Sequence, residues 1–217
     1  MRLDNILNSM KKIIPKILVL SFVLVLFTKI QAQDFRAGLQ IGMTGTQVTG
    51  DNYQGFNKAG FFGGFFVNRP IGRLGEGQLE INFIQKGSRK NAKPSDGIYD
   101  SYLLRLNYIE VPVFYKFSIV KGLKVEAGLM LAYLINWRQF DENGEFFKNP
   151  SVADFNKFDF SGFAGLNYKI NEHWGFSLRY SYSILAIRPK PDYQNTSIYY
   201  NQGQYNEVLC TTFQYYF

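Results

Sequence analysis

The chain has 217 residues, of which 46% are hydrophobic and 18% aromatic, and its formal net charge is +7. This length is sufficient for one domain with a real core. The single cysteine, Cys210, excludes an internal disulfide framework, and the single histidine disfavours metal sites and histidine-dependent catalysis.

The first 32 residues have the composition of an export signal. A basic stretch ending at Lys16 precedes the apolar run 17–27, and the small residue Ala32 follows. This order predicts a cleavable signal peptide over 1–32, since the apolar run is too short for the alternative of a membrane anchor. Its removal would take away five basic residues and one acidic residue, which lowers the net charge from +7 to +3. We therefore expect no nucleic-acid partner.

The remaining chain begins with three segments in which apolar and polar residues alternate. A period of two predicts strands, because successive side chains of a strand point to opposite faces. We predict these strands at 35–44, 59–68 and 78–86, separated by a polar loop up to Asn57 and a glycine-rich turn region at 69–77.

The fourth predicted strand, 102–117, changes its apolar face partway. Its first apolar residues, up to Tyr108, occupy even positions, whereas those from Ile109 onward occupy odd positions. One additional residue in a strand would produce this change, so we predict a β-bulge near Tyr108–Ile109.

The fifth predicted strand, 123–138, has an apolar or aromatic residue at every odd position, and Tyr133 and Trp137 close that row. Aromatic residues at the end of such a row are typical of a membrane surface. At about 3.3 Å per residue, the row is long enough to cross the roughly 25 Å apolar band of an outer-membrane barrel.

Three further strands are predicted at 158–170, 174–186 and 209–217, and long polar loops at 139–157 and 188–204. Long and short connections alternate along the whole chain, as they do in up-and-down outer-membrane barrels. We therefore predict an all-β fold: an eight-stranded antiparallel up-and-down transmembrane β-barrel over 33–217, preceded by the cleavable signal peptide.

The polar faces of these strands would line the barrel interior. An eight-stranded barrel is just wide enough for side chains to fill, so we expect a plugged lumen without open diffusion. Inward charges must be paired to be tolerated, and this predicts a structural ion-pair network, with a gated or proton-linked path as the alternative. The residues predicted for this lumen network are Arg36, Glu80, Arg105, Glu110, Glu126 and Arg179.

Four segments carry a family resemblance: 38–42 (GLQIG), 106–113 (LNYIEVPV), the fifth strand with its Gly128, and the terminal 213–217 (FQYYF). In these segments the chain resembles the PorT-like outer-membrane β-barrel proteins of Gram-negative bacteria. The resemblance covers about 33–217 and implies a small barrel in the outer membrane, surrounded by its lipid. The alternating aromatic residues Phe213, Tyr215 and Phe217 look like the signal that the barrel-assembly machinery recognises. The resemblance implies no shared activity.

These observations favour a non-enzymatic integral outer-membrane protein with a structural or surface-interaction role. We expect no catalytic, cofactor or metal site, and a surface or periplasmic protein partner would bind through the loops. One alternative is a secreted, soluble, lipocalin-like carrier of a small apolar ligand. The other is an outer-membrane lipid-modifying enzyme, which is disfavoured because His173 lies in a predicted periplasmic turn.

Overall fold

A computed structural model describes residues 35–51, 53, 55–97, 99–142, 144–145, 153–189 and 203–217. The predicted signal peptide at 1–32 lies outside these residues and stays a prediction. In the part of the chain that is described, no helix is long and apolar enough to cross a membrane.

Eight long strands make up most of the described chain, in the order expected from the sequence. Several extend further than the alternating segments suggested, so that the second and third strands are separated by three residues only. The strands are β1 (Arg36–Thr49), β2 (Lys58–Ile71), β3 (Gly75–Lys90), β4 (Tyr102–Val120), β5 (Leu123–Asp141), β6 (Phe158–Lys169), β7 (Trp174–Ser183) and β8 (Gly203–Tyr216).

These strands form a closed antiparallel ring. Each strand pairs with its neighbour in sequence, and β8 pairs with β1 from Gly38 opposite Tyr216 to Thr49 opposite Tyr205. The amide N–H of Phe217 also donates to the carbonyl of Ala37 at 3.0 Å. The up-and-down barrel predicted from the sequence is therefore confirmed.

One end of the barrel carries only short turns and the other carries the long connections. We call them the short-turn end and the long-loop end. Two further strands of two residues each, Gly144–Glu145 and Arg188–Pro189, pair with β5 and β8 at the long-loop end. A short 3₁₀ helix, Pro94–Asp96, lies in the β3–β4 connection.

The two faces of the wall differ in polarity. Large apolar side chains point outward, and Met43, Phe65 and Val113 are 65%, 67% and 61% exposed. Polar side chains point inward, and Glu80 and Glu126 are fully buried. This arrangement is the inverse of a soluble carrier, whose exterior is polar and whose interior is apolar, and it suits a lipid environment.

The predicted change of face in β4 is wrong. Burial alternates without interruption from Leu104 to Phe117, with the even positions inside. The bulge lies in the partner strand: Asn107 is opposite Asn136 and Tyr108 is opposite Leu134, so Ile135 is the additional residue.

The bulge also changes the faces of the residues that follow it in β5. Trp137, expected at the membrane surface, instead packs against the interior apolar cluster, and its ring is centred 5.3 Å from that of Phe155. Arg138, expected inside, lies on the exposed face opposite Arg105.

Candidate functional site

The lumen contains a charged cluster towards the short-turn end that joins β3, β5 and β7. The guanidinium of Arg179 donates two parallel hydrogen bonds to the carboxylate of Glu80, both at 2.7 Å, and its Nε donates to Glu126. The ammonium of Lys116 lies 3.8 Å from the carboxylate of Glu126. The guanidinium also lies 4.7 Å from the ring centre of Phe114. Such paired, bidentate contacts fix the side chains across the lumen.

Amide side chains complete this cluster. Glu80 accepts further hydrogen bonds from Gln40 at 2.7 Å, Gln78 at 2.5 Å and Asn82 at 2.8 Å. Gln214 of β8 donates to Gln40 at 3.1 Å. The buried carboxylate is thus surrounded by donors, as a charge removed from water must be.

A second charged cluster lies closer to the long-loop end. The ammonium of Lys86 lies 3.2 Å from Asp159 and 3.4 Å from Glu110, and 5.0 Å from the ring centre of Tyr108. Asn206 donates to Asp159 at 2.9 Å. This cluster links β3, β4, β6 and β8 across the interior.

Around the second cluster and towards the long-loop end, the lumen is filled by an apolar plug, and Ala132 lies directly opposite both Glu110 and Asp159 in the strand register. Its members are buried and come from six strands and two connections. They are Val48, Phe62, Ile84, Leu104, Leu106, Tyr108, Ala132, Leu134, Phe155, Ile187, Val208 and Cys210. The unbroken even-numbered phase of β4 was the signal that could have placed Leu104, Leu106 and Tyr108 inside.

Connections at the long-loop end cover this plug. Asn156 donates from its backbone N–H to the carbonyl of Ile187 at 2.7 Å, and Arg188 donates through Nε to the carbonyl of Ala153 at 2.5 Å. The guanidinium of Arg188 is 4.6 Å from the ring centre of Phe155. The described mouth is therefore folded inward over the lumen.

Four of the six residues predicted for the lumen network are buried inside the barrel: Glu80, Glu126 and Arg179 in the first charged cluster and Glu110 in the second. Two are not. Arg36 points towards the lumen side but is exposed at the short-turn end of β1, and Arg105 points outward from β4. Arg105 is outside because the pleat of β4 does not flip.

The predicted assembly residues lie together on the outer face of β8. Phe213, Tyr215 and Phe217 are all exposed, and Tyr215 contacts the ring of Trp174 at a centroid distance of 5.0 Å. His173 belongs to the turn beside them, where its Nδ1 is 3.1 Å from the carbonyl oxygen of Tyr216. The loop residue Tyr53 stacks on Tyr102 of β4 at a centroid distance of 4.4 Å. Other aromatic residues of the long loops lie outside the described residues: Phe146, Phe147, Tyr193, Tyr199 and Tyr200.

One acid at the long-loop end has an altered protonation equilibrium. Burial raises the pKa of the Asp51 carboxyl to about 6, although a hydrogen bond from the backbone N–H of Tyr53 at 2.8 Å opposes that shift. Asp51 follows the end of β1 and is buried beneath the mouth. In the folded protein its charge therefore changes mainly between about pH 5 and 7.

Comparison with known proteins assigns this barrel. The family model described as an outer membrane protein beta-barrel domain matches residues 31–187. No curated protein matches the sequence.

Solved structures of small outer-membrane barrels are similar to the chain at low identity. The attachment invasion locus protein Ail of Yersinia pestis is 14% identical, with 85% of this chain and 99% of that chain covered and a TM-score of 0.48. Neisserial surface protein A is 12% identical, covering 84% and 97%, with a TM-score of 0.47. OprG of Pseudomonas aeruginosa is 12% identical, covering 84% and 94%, with a TM-score of 0.37.

Proposed function

Because this chain belongs to the outer-membrane β-barrel family, we propose that it is a non-enzymatic outer-membrane protein whose closed barrel serves as a scaffold for its extracellular loops. In this family architecture the long-loop end is extracellular and the short-turn end periplasmic. The observation that carries the proposal is the filled lumen: two charged clusters and an apolar plug together occupy the interior.

A filled interior argues against a general pore. Barrels that conduct solutes have more strands and retain an aqueous channel. Here Arg179 spans from β7 to Glu80 of β3, and Lys86 of β3 reaches Asp159 of β6. Opening a continuous water path would require these buried pairs to separate, which costs several kcal/mol per charge left unpaired.

The proposal that the protein is not an enzyme rests on the position of its histidine. A lipid hydrolase using a serine or aspartate with histidine needs the base beside the nucleophile. His173, the single histidine of the sequence, lies in the periplasmic turn with its Nδ1 against the Tyr216 carbonyl and its ring stacked on Tyr215. These contacts support a structural role for the ring.

Within the family we propose the PorT-like group, on the basis of the Tyr-Ile-Glu-Val-Pro run at 108–112. In this run Glu110 lies beside Lys86 in the lumen, whereas Ile109 and Val111 face lipid. The alternation of the run therefore fits a strand of the barrel wall. Export through the signal peptide at 1–32, insertion by the barrel-assembly machinery, and a surface or periplasmic protein partner at the loops belong to the same proposal.

The test is conductance together with heat-dependent gel mobility. Protein isolated from outer membranes in mild detergent is added to a planar bilayer, and an aliquot is run unboiled and boiled in SDS. We expect the mobility shift of a folded barrel and no stepwise current above that of the bare bilayer. Stable current steps from a sample that shows the shift would contradict the closed-scaffold proposal.

A further inference from the structure

The outer wall has a recess at the extracellular end of β2–β4. The ladder between β2 and β3 ends with Phe62 opposite Ile84, although both strands continue beyond this pair. There β3 is held towards β1, because Thr44 and Thr46 donate from their hydroxyls to the carbonyls of Gln85 and Gly87, at 3.0 and 2.8 Å.

Two glycines permit this displacement. A Cβ on Gly60 would lie 2.2 Å from the carbonyl oxygen of Gln85, so β3 passes on the lumen side of β2 at this level. Gly87 has a φ of +133°, a conformation that other residues rarely adopt. The inward path of β3 leaves a cavity of about 330 Å³ in the outer surface, and its lining includes Lys58, Ala59, Gln85, Arg89, Arg105 and Asn107.

The recess is strongly basic. Arg89 of β3 and Arg105 of β4 are both exposed, and both also line an adjoining cavity of about 320 Å³. Arg138 of β5 lies directly opposite Arg105 in the strand register and is exposed on the same face. The adjoining cavity is also lined by Lys90 and Asp141, so three of the four charged residues around it are basic.

The basic recess lies at the upper edge of the apolar belt. On β4 the outward residues below it are Ile109 and Val111, whereas Asn107 begins the polar band and bonds to Asn136 at 2.6 Å. Arg105 is two residues further along, which is about 7 Å. This is the depth at which lipid headgroups replace hydrocarbon, and at this end of the barrel the headgroups are those of the outer leaflet.

We propose that this recess is a binding site for a phosphorylated glycolipid of the outer leaflet, with Arg89 and Arg105 as the phosphate ligands. Guanidinium groups match the oxygens of a phosphate in a bidentate geometry. The acyl chains would lie along the apolar wall below, over Ile109 and the outward face of β3. The inference goes beyond the scaffold role and depends only on the position of the barrel in the outer membrane.

The experiment is a lipid titration of the detergent-solubilised full barrel followed by native mass spectrometry. The probes are diphosphorylated lipid A, the same lipid after enzymatic dephosphorylation, and inorganic phosphate. The test variant is R89Q/R105Q. The matched control is R69Q/R73Q, which removes the same charge at the opposite end, where both arginines are exposed.

We expect the phosphorylated lipid to bind wild type and R69Q/R73Q alike, and R89Q/R105Q at least about tenfold more weakly, as for the loss of charge-assisted hydrogen bonds. Equal binding by R89Q/R105Q would overturn the proposal. Equal binding of the dephosphorylated lipid would overturn it too, because the acyl chains alone would then account for retention. If inorganic phosphate bound as tightly as the lipid, the ligand of the recess would be a free anion and the lipid proposal would be wrong.

A heat-dependent mobility shift in R89Q/R105Q establishes that the variant is folded before binding is compared. Conductance measured on the same samples addresses the scaffold role separately. A barrel that conducts but still selects the phosphorylated lipid through Arg89 and Arg105 would contradict the closed scaffold and support the site.

Discussion

At the scale of single residues, Arg179 is the central cation of the charged cluster towards the short-turn end, and the pairing of its acids depends on this residue. It contacts Glu80 and Glu126, both of which are buried away from water. Removing one partner of a buried ion pair leaves an uncompensated charge, which costs more than the pair itself contributes. The effects of substitutions at these three residues on the free energy of unfolding should therefore not be additive.

We expect Arg179→Met to lower the free energy of unfolding by about 3–5 kcal/mol. Adding Glu80→Gln should restore part of this loss, because the carboxylate that lost its bidentate partner is then neutral, whereas Glu126 still faces the ammonium of Lys116. Urea unfolding of the barrel in lipid vesicles, followed by tryptophan fluorescence, measures both effects. Arg73→Met in the exposed β2–β3 turn is the matched control, and equal midpoints for the two methionine variants would contradict the prediction.

Asp51 makes the stability of the extracellular mouth depend on pH. Its folded-state pKa of about 6 lies above the ordinary value of 3.8, so the folded protein binds the proton more tightly than the unfolded chain does. The Asp51 contribution is therefore unfavourable above pH 6, improves as the pH falls from 6 to 3.8, and is constant below that range.

Relative to Asp51→Asn, wild type should gain roughly 2–3 kcal/mol of unfolding free energy between pH 7.5 and 4. Parallel denaturant titrations at several pH values give this difference directly. Asp96→Asn changes an exposed acid of the neighbouring connection and should run parallel to wild type. A flat difference between wild type and Asp51→Asn would show that the buried carboxyl is ionised at no cost.

At the scale of the strands, close packing between β4 and β5 depends on Gly128. A Cβ there would lie 2.2 Å from the Cβ of Phe114 and 2.4 Å from the carbonyl oxygen of Val113. Backbone atoms of a paired strand cannot move without disturbing the ladder. We expect Gly128→Ala to destabilise the barrel by about 1–3 kcal/mol.

Gly162 on β6 is the matched control, because a Cβ there would have ordinary contacts, the nearest at 3.6 Å from Ile184. Gly162→Ala should change the unfolding free energy by less than about 0.5 kcal/mol. Thermal or urea unfolding of the two variants separates the positions. Equal changes in unfolding free energy for the two alanine variants would show that the close approach of β4 to β5 does not restrict the residue at position 128.

Strand positions could be predicted because a period of two is visible in the sequence, but the assignment of faces was harder. Leu104, Leu106 and Tyr108 are apolar on either interpretation, since an interior plug and a lipid-facing wall both take such residues. Leu104, Leu106 and Tyr108 have even numbers, as have the charged residues Glu110 and Lys116 of the same strand, and this shared phase was the signal that places them inside. The bulge at Ile135 of β5 could not be located, because register is a property of two strands.

The ion pairs were beyond the sequence for a related reason. Glu80 and Arg179 are 99 residues apart and meet across the lumen, and this depends on barrel closure and strand stagger rather than on local pattern. That inward charges need partners could be stated in advance. Which acid meets which base could not.

At the scale of the whole molecule, the ring is closed by the pairing of β8 with β1. Tyr216 pairs opposite Gly38, and Phe217 extends the contact through its backbone N–H. The Phe217 side chain is 70% exposed on the lipid face. It therefore adds little packing to the folded barrel, and recognition during assembly is the role that we propose for it.

We expect Phe217→Ala to lower the amount of protein in the outer membrane several-fold while leaving the unfolding free energy of the folded barrel within about 0.5 kcal/mol of wild type. Alanine keeps the backbone hydrogen bond to Ala37, so only the aromatic side chain is removed. Phe65→Ala is the control. Phe65 is 67% exposed on β2, so this substitution removes an aromatic ring from the same lipid-facing surface but from a different strand. Membrane fractionation with heat-shifted gels measures assembly, and urea titration measures stability. Equal outer-membrane levels of the two variants would assign the terminal aromatics to lipid contact alone, whereas a selective loss for Phe217→Ala at unchanged stability can arise only before the barrel has closed.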